Sequence, residues 1–138
     1  MKRHHYLIPL LLTLAATGCR SASDPAPQTT GLNQEVRLAP GERAVFGPDT
    51  LDVEFVRVVE DSRCPTDVTC VWAGEVKVQL ATRSGAAEAA RHEITAGKDA
   101  TVGELRLVVV QVQPERVSTR EIPPEEYRVT LKVEASKP

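Results

Sequence analysis

Short runs of alternating apolar and polar residues, separated by turn residues, follow one another from residue 35 to the end of the chain. The clearest run is 127–134, where Tyr127 and every second residue after it are apolar and the residues between are polar. A period of two predicts a half-buried antiparallel strand with Tyr127 in the core. The other runs are 35–38, 42–46, 51–60, 71–82, 91–95 and 105–112. Seven short strands predict an all-β fold, an antiparallel β-sandwich of immunoglobulin-like type over residues 35–138, with a partly open β-barrel as the alternative.

The run 51–60 changes phase along its length. Leu51, Val53 and Phe55 share one face, and the apolar positions then shift to Val56 and Val58. Such a shift predicts a β-bulge or burial on both faces of the strand.

The run 71–82 carries Trp72. In an ideal strand Cys70, Trp72, Gly74 and Val76 lie on one face, which places Trp72 in the core beside the cysteine. We therefore expect Trp72 to be a structural core residue whose replacement by Ala costs about 3–5 kcal/mol.

Composition and charge narrow the functional classes. The chain has five aromatic residues, so its core is built chiefly from Val, Leu, Ile and Ala, of which Val and Ile favour strands. It carries 17 basic and 19 acidic residues, and two of the basic ones, Lys2 and Arg3, stand in the first 18 positions. The remainder has a mild negative charge, which argues against nucleic-acid binding.

Residues 1–18 have the three parts of an export signal: a basic start, an apolar stretch too short to span a bilayer, and small residues before Cys19. The segment resembles bacterial lipoprotein signal peptides, and the resemblance implies cleavage before Cys19 and acylation of its thiol. Several acyl chains are needed for stable membrane attachment. Arg20 is not the Asp that retains lipoproteins in the inner membrane, which favours the periplasmic side of the outer membrane in a diderm cell. The alternative is an ordinary secretory signal.

Residues 19–34 follow as the lipid-bearing Cys19 and a small, polar, proline-containing stretch. This composition predicts a flexible tether with a reach of about 20 Å.

Cys64 and Cys70 are expected to form a disulfide, because two thiols so close in sequence pair readily in an oxidising compartment. A redox-active pair would have two intervening residues and a helix N-terminus, whereas here five residues intervene. A metal site would need further ligands, and after residue 18 the only histidine is His92. We therefore predict a structural disulfide and no metal or other cofactor.

No nucleophile–base motif or phosphate-binding glycine loop accompanies the remaining polar residues. We therefore predict a protein that is not an enzyme. The alternative is an envelope hydrolase with an unconventional carboxylate site around Asp61, Asp67 and Glu75.

The segment from Asp61 to Pro65, continued from Cys70 to Gly74, has the form D-S-R-C-P…C-x-W-A-G. In this signature, and in 122–131, the chain resembles a group of small bacterial secreted proteins and lipoproteins. The resemblance covers most of 35–134 and implies an extracytoplasmic β-domain without identifying an activity.

These features predict a lipid-anchored domain of the cell envelope, attached to the membrane through Cys19. It would bind an unknown envelope protein or polymer, or serve a structural role. In the sharper version, the loop with Pro65, Thr66 and Asp67 is a recognition element, as in an inhibitor of an envelope enzyme, since a rigid loop loses little entropy on binding.

Overall fold

The computed structural model describes residues 24–48 and 50–136. The predicted signal peptide, Cys19 and the start of the predicted tether lie outside the described residues. The described part forms nine β-strands and one turn of 3-10 helix at Pro124–Glu126. The strands are β1 Gln28–Thr30, β2 Glu35–Leu38, β3 Arg43–Phe46, β4 Leu51–Asp61, β5 Val76–Arg83, β6 Ala90–Thr95, β7 Asp99–Val102, β8 Leu105–Gln113 and β9 Arg128–Ala135.

The strands form two separate sheets. One has the order β1-β3-β4-β5-β6 and the other the order β2-β9-β8-β7. All neighbouring strands are antiparallel except β1 and β3, which are parallel. The predicted antiparallel β-sandwich is confirmed. Its strand order differs from the immunoglobulin arrangement, because β3–β6 and β7–β9 are each consecutive meanders.

The core lies between the sheets and is aliphatic with two phenylalanines. Phe46 and Phe55 come from the larger sheet, and Leu107 and Leu131 from the smaller one; all four are fully buried. Burying side chains of this size stabilises the fold by roughly 1.5–3 kcal/mol each. Tyr127 is also buried, which confirms its predicted place in the core.

Strand β4 contains the predicted irregularity. Its register against β5 shifts between Phe55 and Arg57 and again between Val58 and Glu60. Two extra residues on one strand bend it and increase its twist. Asp61, the last residue of this strand, leads into the following loop at one end of the sandwich.

The domain begins earlier than predicted. Gln28–Thr30, which we assigned to the tether, pairs with β3 as strand β1. Polar side chains on an edge strand leave no apolar signal, so the pattern could not reveal this pairing. Strand β7 is also absent from the predicted strands. With β1 and β7, the described residues contain nine strands where the sequence predicts seven.

The two ends of the sandwich differ in their connections. At the loop end, Asp61 of β4 lies opposite Val76 of β5; at the far end, Asp52 lies opposite Arg83. The turns after β3, β5 and β7 all lie at the far end. Within the two described ranges, no helix combines the length and apolar character that a membrane crossing requires.

Candidate binding surface at the disulfide loop

The disulfide loop, residues 62–75, connects β4 to β5 at the loop end. Cys64 and Cys70 are joined in it by a disulfide with a Cα–Cα distance of 5.9 Å, as predicted. Closing a ring of this size stabilises the folded state by about 2 kcal/mol in the chain-entropy treatment.

Backbone hydrogen bonds close the base of the loop. The Ser62 amide donates to the Glu75 carbonyl at 2.8 Å, and the Cys64 amide donates to the Ala73 carbonyl at 2.8 Å. The Ser62 hydroxyl donates to the Glu75 carbonyl and accepts from the Glu75 amide, both at 3.1 Å. Residues 62–64 and 73–75 therefore run side by side without being part of the main sheet.

Gly74 allows this close approach. Its φ is +66°, and a Cβ atom at this position would lie 1.8 Å from the Ser62 carbonyl oxygen. No side chain fits at that distance, so only glycine permits the closed base.

Arg63 ties the loop to both sheets. It forms a two-point pair with Asp61: Nε lies 2.7 Å from Oδ1, and one terminal nitrogen lies 2.6 Å from Oδ2. It also donates to the carbonyls of Val112 at 2.9 Å and Pro114 at 3.0 Å, at the end of β8. The hydroxyl of Tyr127, which immediately precedes β9, donates to Asp61 Oδ2 at 2.9 Å.

The ionisation of this cluster follows from its contacts. Burial by itself would raise the pKa of Asp61, but the hydrogen bonds from Arg63 and Tyr127 and the charge of Arg63 outweigh it and lower that pKa. The bond to Asp61 raises the pKa of Arg63. Burial, followed by the bond to the Asp61 carboxylate, raises the pKa of Tyr127 to about 12. At neutral pH the cluster is an ion pair with a neutral phenol.

A second segment, 114–118, holds the outer side of the loop. Arg116 donates to the Arg63 carbonyl at 2.9 Å, and its own carbonyl accepts from the Thr66 amide at 2.9 Å. Both carboxylate oxygens of Asp67 accept from Ser118, one from its amide at 2.8 Å and one from its hydroxyl at 2.5 Å. Thr66 and Asp67, which we predicted as part of a recognition element, thus use their polar groups to bond to Arg116 and Ser118 and hold the loop against this segment.

Trp72 contradicts its predicted place in the core. Its side chain is 82% exposed, and the neighbouring Val71 is fully exposed. The prediction was wrong because 71–75 is not a strand: β5 begins only at Val76, and the left-handed backbone of Gly74 breaks the extended run. With Ala73 and Glu75 held at the base, Val71 and Trp72 lie at the outer turn of the loop.

The remaining exposed large apolar side chains lie in the loop or in segments next to it. Val68 lies in the loop, and Val117 lies between the two residues of the second segment that bind Thr66 and Asp67. Val110 lines a cleft of about 440 Å³ together with Cys64 and Ala73. Thus all five exposed large apolar side chains found in the described residues lie on the loop or beside it. We call Val68, Val71 and Trp72 the apolar tip.

A second groove, of about 580 Å³, follows the bulged half of β4 and is lined by Val56, Val58, Pro124 and Tyr127. The two bulges twist this part of the strand, and bulges of this kind oppose the addition of a further strand. The groove therefore has poor geometry for an extended peptide.

The carboxylates of the alternative hydrolase site have separate surroundings. Asp61 is bound by Arg63 and Tyr127, Asp67 is bound by Ser118, and Glu75 is exposed. Across residues 24–48 and 50–136, no group of three or more His, Cys, Asp or Glu side chains could hold a metal ion. His92 lies in β6, with its Nε2 atom 2.9 Å from the Thr82 hydroxyl.

When the chain is compared with protein-family models, curated proteins and solved structures, none of them matches it. The resemblance drawn from the D-S-R-C-P…C-x-W-A-G signature stays a prediction. What the structure adds is a role for the residues that carry it: Asp61 and Arg63 tie the loop to the sandwich, Cys64 and Cys70 close it, and Gly74 lets its base close.

Proposed function

We propose that the protein is a lipid-anchored, non-enzymatic domain of the cell envelope that binds a protein partner through the apolar tip. The observation that carries the proposal is the gathering of the five exposed large apolar side chains on or beside the disulfide loop. Isolated apolar residues on a surface are ordinary, whereas a cluster at one site is typical of an interaction surface.

Trp72 has the properties of an interface anchor. Tryptophan is enriched among the residues that dominate binding free energies. Burying a side chain of this size removes roughly 200 Å² from water, which is worth on the order of 4–5 kcal/mol before the costs of association.

The construction of the loop lowers those costs. The disulfide, the closed base and the bonds made by Arg63, Arg116 and Ser118 fix the residues on both sides of the apolar tip. A surface that is already ordered loses less conformational entropy when it binds.

The chemistry of the tip favours a protein over a glycan polymer. Residues 68–73 read Val-Thr-Cys-Val-Trp-Ala and contain no charged or amide side chain. A hydroxyl-rich polymer needs such groups to replace the hydrogen bonds that it loses with water. An apolar pocket on a protein needs none.

The protruding, rigid tip also suits insertion into a cleft, which supports a second version of the proposal: inhibition of an envelope enzyme. Both versions use the same surface. An activity assay of the captured partner distinguishes them. The inhibitor version predicts that the purified domain lowers the partner's activity and that the Trp72→Ala domain does not.

The binding proposal is tested by placing a photo-crosslinking amino acid in intact cells at Thr69, an exposed position within the tip segment that leaves Trp72 in place. Glu104, an exposed residue at the far end, is the matched control position. We expect a discrete protein adduct from position 69 that is absent from position 104, and a competing Val71→Ser/Trp72→Ala domain that does not reduce it. Equal labelling at both positions, or none at 69, would refute the proposal.

The anchor is tested separately. With Cys19→Ala, we expect the protein to move from the membrane to the soluble fraction. If fractionation is unchanged, the lipid anchor is wrong, whatever the crosslinking shows.

A further inference from the structure

Strand β1 fixes the direction from which the chain enters the domain. It runs parallel to β3, and β3 runs antiparallel to β4. Strand β4 runs toward the loop end, where it finishes at Asp61, so β1 runs in the opposite direction, away from the loop end. The first residue of β1 is therefore the one nearest to the loop end. The segment before Gln28 therefore approaches the sandwich from the same end that carries the apolar tip.

The sequence of that segment keeps it extended. Residues 24–27 read Asp-Pro-Ala-Pro and are all exposed. Each proline fixes its own φ and pushes the residue before it into an extended conformation. Prolines at alternate positions thus oppose a reversal of the chain just before β1.

The lengths agree with this direction. Gln28 lies at the level of Ala44, Val53 and Thr82 across the sheet. From Thr82 to Val76, at the loop end, β5 rises by about 20 Å. Eight residues lie between Cys19 and Gln28, and the nine steps from one to the other span at most about 30 Å. The chain between them is therefore long enough for Cys19 to reach the level of the loop.

We infer that the domain is anchored with its loop end toward the membrane, so that the partner of the apolar tip is a protein embedded in that same membrane. The inference rests on the proposed function, because it needs both the anchor at Cys19 and binding through the tip. It adds an orientation and a class of partner.

The charges around the tip favour an embedded protein over the lipid surface itself. Exposed Glu75 and Glu115 flank the loop beside the half-buried Arg116, none of the three forms an ion pair with another described residue, and the carboxylates outnumber the cation. Carboxylates are repelled by anionic headgroups, which attract basic residues instead. A partner protein with an apolar pocket and basic residues around its rim would bury the apolar tip and pair with these carboxylates.

Because Trp72 is the only tryptophan of the chain, its fluorescence tests the orientation. The full lipidated protein is reconstituted in phosphatidylethanolamine/phosphatidylglycerol vesicles that contain a dansyl-labelled headgroup lipid. The control is Trp72→Phe/Glu104→Trp, which moves the donor to the far end. The two donors differ in height by about 25 Å. We expect energy transfer from Trp72 to be at least about twofold more efficient; equal transfer, or stronger transfer from position 104, would overturn the orientation. Matching circular dichroism spectra establish that both proteins are folded.

Two further readouts test the class of partner. Vesicles with brominated acyl chains should leave the emission of Trp72 unchanged; strong quenching with a blue shift would make the bilayer itself the occupant and overturn the inference. Mass spectrometry of the adduct formed at position 69 in cells should identify a protein with a membrane-spanning segment. A soluble partner would overturn the inference and leave the proposed function standing. Preferential transfer from Trp72 without any protein adduct would instead retain the orientation and refute the proposed function.

Discussion

The two ends of the sandwich differ in how their strands are connected and in which side chains they expose. At the far end, β3–β4, β5–β6 and β7–β8 are joined by simple turns, and no large apolar side chain described there is exposed. At the loop end, one connection is fixed by a disulfide, an ion pair and two stretches of backbone bonding. That end nevertheless exposes a tryptophan. A short turn is enough to connect two neighbouring strands, as the far end shows. The polar network at the loop end instead stabilises a longer connection on which the apolar tip is exposed.

Gly74 should give the largest effect on stability. Gly74→Ala places a Cβ against the Ser62 carbonyl and a side chain on a left-handed backbone, so we expect a loss of about 3 kcal/mol or more in the free energy of unfolding. Gly103→Ala at the far end is the matched control, since its φ is +62° but nothing lies within 4 Å of the added Cβ. It should cost about 1 kcal/mol. Urea unfolding measures both, and equal losses would mean that the base of the loop does not close as described.

Arg63→Met should come next. It leaves the Asp61 carboxylate half-buried without its cation and frees the carbonyls of Val112 and Pro114, so we expect a loss of about 2 kcal/mol. Arg106→Met, which breaks the exposed pair with Glu134, should change the free energy of unfolding little. If the two variants lose the same stability, Arg63 does not join the sheets.

The pKa shifts of this cluster predict a dependence of stability on pH at both extremes. The pKa of Tyr127 is raised from 10.0 to about 12, so its stabilisation is present below pH 10 and is lost as the pH rises through 12. The stability difference between wild type and Tyr127→Phe should therefore shrink over that window. The pKa of Asp61 is lowered from 3.8, so the difference from Asp61→Asn should shrink as the pH falls below about 4. Differences that stay constant with pH would refute the cluster.

Trp72→Ala should have the smallest effect on stability, in spite of the size of the residue. Because the side chain is 82% exposed, we expect a change within about 0.5 kcal/mol. Phe55→Ala, in the core, should cost about 3–5 kcal/mol. A loss of similar size at Trp72 would return that residue to the core and remove the basis of the binding surface.

The sequence predicts the sandwich better than it predicts the loop end, for a physical reason. Alternation and phase shifts are local, so β9 and the bulges of β4 could be predicted directly. Trp72 could not, because Cys70, Trp72, Gly74 and Val76 continue the period of a strand. Only the closeness of Gly74 to Ser62, which is a tertiary contact, shows that the strand starts later. In the same way, Arg63 binds carbonyls 49 and 51 residues away, and no spacing in the sequence reveals that contact.

Fluorescence of the single tryptophan decides whether Trp72 is exposed on the loop. We expect Trp72 in the purified, folded protein to emit as far to the red as N-acetyltryptophanamide and to be readily quenched by acrylamide, a neutral quencher that the flanking carboxylates do not repel. A blue-shifted emission protected from acrylamide would place Trp72 in the core and leave no apolar tip on the loop.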